Sequence, residues 1–136
     1  IVISGLREEI EKAKAVFEKA EAQLYVILPV SGAFHTRFMQ KAREEFAGFL
    51  ENFHFNPIEI PVISNVTARE YEKEKIRELL CEQIISPVKW TDSIIYLMGK
   101  GEMTFEEVGP GKVLHNLIKR IAKAGDRYPQ PTLQMI

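Results

Sequence analysis

Apolar and polar residues along this chain switch repeatedly between helical and strand periods. Leu6, Ile10, Ala13, Phe17 and Ala20 recur at three- and four-residue spacing, which predicts a helix over about residues 6–20 with one buried stripe. Short apolar runs flank it, beginning at Ile1 and at Leu24, and both read as strands. The chain therefore opens on a β-α-β unit, whose right-handed crossover would set its strands parallel in one sheet. A second helix is expected from Thr36 to about Leu50, burying Phe38, Met39, Ala42, Phe46 and Leu50. Thr36 should cap it by accepting from the Met39 N–H, and Glu44 and Glu45 fall on the wet side.

Residues 52–57 read as a turn that leaves His54 at the surface. Residues 58–65 read as a strand broken by Pro61, at a sheet edge or starting only at Val62. A charged helix starting at Thr67 or later would bury Ile76, Leu79, Leu80 and Ile84 and stop at Ser86-Pro87. The next helix spans residues 90–98, with Thr91 as its cap and Trp90, Ile94, Ile95 and Leu97 packing, and the glycines at 99 and 101 end it. A strand over 104–108 then turns at Gly109-Pro110-Gly111 into a last helix with Val113, Leu114, Leu117, Ile118 and Ile121 on its apolar face. Strands and helices alternate throughout, which indicates an α/β fold.

Composition narrows the class. With 136 residues, 46% of them hydrophobic and 27% charged, the chain suits one modest domain and excludes a disordered one. No apolar run approaches the roughly 18–20 residues of a membrane helix, so no membrane role is expected. A net charge of -1 gives no whole-protein case for nucleic acid. The single cysteine, Cys81, precludes an internal disulfide, reads as a small buried apolar residue, and suits a reducing cytoplasm. The chain starts on an apolar run without an initiator Met, and residues 125–131 resemble a linker leaving a finished helix. It reads as cut from something longer at both ends.

Candidate chemistry is sparse. Gly109-Pro110-Gly111-Lys112 suggests a phosphate loop but lacks the required spacing, and Val113 stands where a metal-binding hydroxyl should be. A tight strand-to-helix turn accounts for both glycines. His35, His54 and His115 have no metal-ligand spacing. None of Ser4, Ser31, Ser64, Ser86 or Ser93 sits in a G-x-S-x-G elbow; Ser31 comes nearest, but Pro29 and Ala33 replace the glycines. His35, by contrast, lies where an apolar run crosses Pro29 and Gly32 into a helix. It reads either as a general base whose nucleophile lies outside this chain or as a hydrogen-bonded core histidine.

Several stretches, in order, carry a resemblance. They are Val2-Ile3-Ser4-Gly5; Leu28-Pro29-Val30-Ser31-Gly32-Ala33-Phe34-His35-Thr36 with Met39; and Pro61-Val62-Ile63-Ser64-Asn65-Val66-Thr67-Ala68. Gln83 with Ser86-Pro87-Val88-Lys89-Trp90, and Phe105 with Glu107-Val108-Gly109-Pro110-Gly111-Lys112-Val113-Leu114, complete them. Together they resemble the C-terminal part of malonyl-CoA:acyl-carrier-protein transacylases, the acyltransferases of fatty acid and polyketide synthesis. The resemblance runs from residue 1 to about Ala124.

That resemblance implies an α/β-hydrolase-like large subdomain carrying a ferredoxin-like small one. Residues 1–28 would close the small subdomain, 29–124 would belong to the large one, and 125–136 would form a linker or tail. It implies a ping-pong transfer of malonyl from malonyl-CoA to the phosphopantetheine thiol of an acyl carrier protein through an acyl-serine, with no bound cofactor or metal. His35 matches the general base and acid, and Gln83 the residue whose main-chain carbonyl orients it. Phe34 matches a residue associated with malonyl over branched substrates, with Ala33 beside it in the acyl pocket. The serine elbow, an oxyanion-hole contributor and the malonyl-binding arginine would belong to the N-terminal remainder of the domain, so this chain alone should not turn over. Arg37 and Arg43 match no motif position and read as surface groups. Two other classes stay open. One is a non-catalytic docking module for acidic carrier proteins, using Lys119, Arg120 and Lys123. The other is a thioester hydrolase on a related fold.

Overall fold

The computed structural model of the chain describes residues 2–124 and, as backbone, 133–135. The linker expected over 125–131 lies outside the described residues. Two compact units form: Ile1–Pro57 with Glu72–Val88, and Ile58–Tyr71 with Lys89–Ile136.

In the first unit, helix α1 (Arg7–Lys19) carries the ion pairs Arg7–Glu11 and Lys14–Glu18 on its wet face. Its apolar stripe is shallow. Ile10 and Ala13 are half-buried, while Leu6 and Phe17 stay exposed, Phe17 resting on Tyr25 at 5.6 Å between ring centroids. The Tyr25 hydroxyl donates to the Ile10 carbonyl and ties the chain after α1 back to the helix. The strands expected on either side of α1 do not form: residues 2–5 and 24–28 have no sheet pairing among the described residues. A strand is complete only when a neighbour accepts and donates along its ladder, and no described segment does so here. Val2, Leu24, Val26 and Leu28 are left exposed, and the two segments line one open groove.

A 3-10 turn (Arg37–Met39) leads into α2 (Gln40–Leu50), and another (Lys73–Lys75) into α3 (Ile76–Glu82). The Thr36 hydroxyl accepts from the Phe38 N–H at 3.3 Å rather than from Met39. The Met39 N–H instead closes on the Thr36 carbonyl at 3.0 Å, an i→i+3 bond that makes the entry a 3-10 turn. Helices α2 and α3 pack together, with Leu50, Ile76, Leu79 and Cys81 buried. Phe38, expected in the core, is exposed.

In the second unit, the strand expected over 58–65 is reduced to one antiparallel bridge, Ile63 to Glu70. Pro61 can donate no ladder bond. The chain folds back on itself instead: the Ser64 N–H donates to the Arg69 carbonyl (2.8 Å) and the Ala68 N–H to the Ser64 carbonyl (2.9 Å). Ser64 and Ala68 are buried at the centre of this loop. Helix α4 (Trp90–Met98) starts after Lys89 with no side-chain cap, so Thr91 lies inside its first turn instead of capping it. Strand β1 (Met103–Phe105) is shorter than expected and pairs in parallel with β2 (Leu133–Met135), Met103 opposite Leu133. Helix α5 (Val113–Lys123) packs on α4 through Ile94, Met98, Ile118 and Ile121, with Trp90, Ile95, Phe105 and Ala122 around them. Val113, Leu114 and Leu117 from its expected apolar face remain exposed.

Ile94 is the most deeply buried member of this α4–α5 cluster. Ile94→Ala should cost about 2–5 kcal/mol of stability, whereas exposed Val113→Ala should stay within about 0.5 kcal/mol. Denaturant titration followed by the fluorescence of Trp90, the single tryptophan, checks both.

Candidate functional site: a histidine held by the end of a helix

The site begins at the corner between residues 33 and 36. The Thr36 hydroxyl donates to the Ala33 carbonyl at 2.6 Å and closes the corner on itself. His35 sits there at φ +61°, in the left-handed region that non-glycine residues rarely adopt. Two carbonyls from the other end of the unit hold it. The His35 N–H donates to the Ile84 carbonyl at 3.1 Å, and ring Nδ1 lies 2.9 Å from the Gln83 carbonyl. A carbonyl oxygen only accepts, so in the neutral ring the proton resides on Nδ1. Nε2 keeps its lone pair, and the residue is exposed.

These carbonyls are available because of how α3 ends. The last carbonyls of a helix lack intrahelical donors. Gln83 follows α3 directly, and the residue four positions on, whose N–H would extend the ladder, is Pro87, which has none. The donor that the Gln83 carbonyl meets comes from a residue 48 positions away.

Phe34, next to His35 in the chain, is exposed, and Ala33 is half-buried. A methyl placed on Gly32 would stand 3.6 Å from Met39 Sδ and 3.7 Å from Phe34 Cζ, so the glycine forms the floor beneath both apolar side chains. Arg37 lies over the Phe38 ring at 5.3 Å. Arg43 is not the free surface group expected: its Nε is 3.3 Å from Glu82 Oε2, and both side chains are half-buried. Sequence reasoning placed Ile84 in a buried helix stripe and gave neither it nor Glu82 a role at the site. A backbone acceptor has no residue signature, and Arg43 and Glu82 come together only through the packing of α2 on α3.

The Gly109-Pro110-Gly111 turn has both glycines at positive φ, +141° and +98°, as a sharp strand-to-helix reversal requires. It cradles no phosphate. The Glu107 carboxylate already accepts from the Leu114 and His115 N–H groups at 3.1 and 3.0 Å, filling the first turn of α5. The His115 N–H foremost, with the Leu114 N–H, holds the Glu107 carboxyl below its ordinary range, against an opposing effect of burial that is larger than the Leu114 bond alone. His54 is exposed, and no group of residues among those described could hold a metal ion. Lys119, Arg120 and Lys123 are exposed along α5.

No family model matches the chain. Known proteins do. The polyketide biosynthesis malonyl CoA-acyl carrier protein transacylase PksC of Bacillus subtilis is 56% identical over 131 residues, covering 96% of this chain and 46% of that protein. The crystal structure of the malonyl CoA-acyl carrier protein transacylase from Burkholderia pseudomallei superposes with a TM-score of 0.78 at 39% identity, over 88% of this chain and 42% of that one. This chain is homologous to a portion of the malonyl CoA-acyl carrier protein transacylases. A malonyl-transacylase solved in complex with a type II polyketide acyl carrier protein matches it with a TM-score of 0.80 at 29% identity, over 96% of this chain and 40% of that one. The chain thus spans less than half the length of each of these transacylases. The helix-rich α/β architecture is the one it shares with them.

Because the folded pKa of Glu107 lies below its unfolded value, its stabilising share is present above the unfolded value and disappears as pH falls through the folded one. Glu107→Ala should lower helical content at neutral pH and leave a flatter loss of helicity as pH falls below the ordinary carboxylate range. Far-ultraviolet circular dichroism of variant and parent side by side reads the difference.

Proposed function

We propose that this chain supplies the general base, and part of the acyl pocket, of an acyltransferase moving malonyl from malonyl-CoA to the phosphopantetheine thiol of an acyl carrier protein. The observation that carries the reading is the 2.9 Å contact between His35 Nδ1 and the Gln83 carbonyl, which leaves Nε2 as a proton acceptor. The nucleophilic serine belongs to the remainder of the transacylase, outside this chain. Its Oγ–H proton passes to Nε2 as Oγ attacks the thioester carbon. The carbon–sulfur bond then breaks, and the imidazolium returns the proton to the departing CoA thiolate. In the second half-reaction Nε2 takes the proton of the phosphopantetheine thiol, sulfur attacks the acyl-serine, and the proton goes back to serine oxygen.

The Gln83 carbonyl fixes tautomer and ring direction as an aspartate does in serine proteases, but as a neutral acceptor. Phe34, exposed beside His35, restricts room for a 2-methyl branch, and Ala33 leaves space for the malonyl chain. Steric discrimination of one methyl is worth only about 1–3 kcal/mol, so Phe34 favours malonyl without enforcing it. Residues 1–28 are the end of a ferredoxin-like subdomain and residues 29–124 part of an α/β-hydrolase-like one. Their unpaired apolar segments are what a sheet shared with the remaining portion of the enzyme leaves behind. The solved complex with a carrier protein supports the carrier as partner, and the exposed Lys119, Arg120 and Lys123 offer it a cationic face. The buried free thiol of Cys81 suits a cytoplasmic setting.

The test is His35→Ala in the assembled transacylase, this chain together with its serine-bearing portion. Transfer to the carrier protein should fall by about 10²–10⁴-fold in kcat/KM, the usual contribution of a general base. Transfer close to the parent rate overturns the assignment, and release of free malonate in place of malonyl-carrier makes the parent enzyme a hydrolase.

A further inference from the structure

The carbonyls that hold His35 lie in a turn that is itself braced by a side chain. Glu82 is the last residue of α3, immediately before Gln83 and Ile84. Its carboxylate makes two contacts: Oε2 accepts from Arg43 Nε on α2 at 3.3 Å, and Oε1 accepts from the Ser86 hydroxyl at 3.2 Å. Its carbonyl also accepts from the Ile85 N–H at 3.2 Å and the Ser86 N–H at 3.0 Å. Ser86 is thus bonded twice to Glu82, through backbone and side chain, and the chain between them contains only Gln83, Ile84 and Ile85. Two of those three residues present the carbonyls that hold His35. Arg43 ties the same carboxylate to α2, the helix that begins just after the His35 corner. Both ends of the His35 grip therefore meet at one carboxylate.

We propose that Glu82 is a positioning residue for His35: with Arg43 and Ser86 it forms a bracket that aims the Gln83 and Ile84 carbonyls at the ring and backbone of the histidine. This rests on the reading of His35 as the base. The turn it braces lies past the end of a short helix, where backbone bonds alone leave carbonyls free to swing toward water. Releasing Glu82 lets the Gln83 carbonyl drift from Nδ1. The ring then samples the tautomer with its proton on Nε2, which cannot accept from serine. Since the base acts in the reaction and not in holding malonyl-CoA, the loss falls on kcat and spares KM.

The experiment compares Glu82→Ala, Glu82→Gln and Ser86→Ala in the assembled transacylase, using steady-state transfer and nitrogen-15 chemical shifts of the His35 ring. Glu82→Ala should lower kcat about 10-fold with KM for malonyl-CoA unchanged, and should shift the ring nitrogens toward a mixture of tautomers. Glu82→Gln keeps an oxygen acceptor on the same stem and should restore most of the rate and the Nδ1–H signature. That separates bracing from negative charge. Should Glu82→Ala not fold, Ser86→Ala removes one arm of the bracket and should give a smaller change in the same direction. Parent-like kcat and ring shifts in Glu82→Ala, or equal losses in the alanine and glutamine variants, overturn the proposal. His35→Ala serves as the control: full transfer in that variant overturns the reading of the base itself, while the ring shifts report on the bracket whether or not transfer occurs.

Discussion

Everything at the candidate site depends on a helix that ends with acceptors to spare. Helix α3 stops at Glu82, and Pro87 withholds the N–H that would have taken the next carbonyl in the ladder. Carbonyls past the last turn of a helix lack intrahelical donors and take them from elsewhere. His35 brings two, its backbone N–H to Ile84 and its ring Nδ1–H to Gln83. The same bonds that satisfy the helix terminus set the tautomer of the imidazole. They also offset the left-handed backbone of His35, a conformation that persists only where its surroundings over-determine it.

The two units differ in how completely they bury themselves. In the second, α4 and α5 close over Ile94, Met98, Ile118 and Ile121, and Glu107 finishes the first turn of α5 from outside the helix. In the first, α2 and α3 share a small core, while the segments around α1 leave Val2, Leu24, Val26 and Leu28 exposed. Apolar surface is exposed there beside backbone with no sheet pairing among the described residues. It accords with a chain that spans less than half of the transacylases it matches.

The glycines at 109 and 111 illustrate how one motif supports two readings until a side chain decides between them. Glycine at positive φ serves a phosphate cradle and a plain reversal equally well. Glu107 settles it, since a carboxylate bonded to the first amides of α5 leaves no vacancy for an anion and would repel one. Likewise Arg43 resembled a solvated charge until the packing of α2 on α3 set it against Glu82.

Helices with strong periodicity were legible from the residues alone. The stripe of Trp90, Ile94 and Ile95 gave α4 its observed span, because such signals depend on neighbours within a turn or two, whereas α3 ends at Glu82, before the expected stop at Ser86-Pro87. The ordered motifs around His35 and Gln83 were likewise legible as a resemblance to transacylases. Strands were legible only in part: the one expected over 104–108 forms as the shorter β1, while residues 2–5, 24–28 and 58–65 have strand composition but no ladder among the described residues, because a strand exists only where another segment pairs with it. Sequence thus determined the local helices and the presence of a histidine at a corner. Only the tertiary structure decided that the Ile84 carbonyl joins that of Gln83 at the corner, that the donors there are His35 N–H and Nδ1–H, and that Glu82 joins both sides, because such contacts arise from packing and not from spacing.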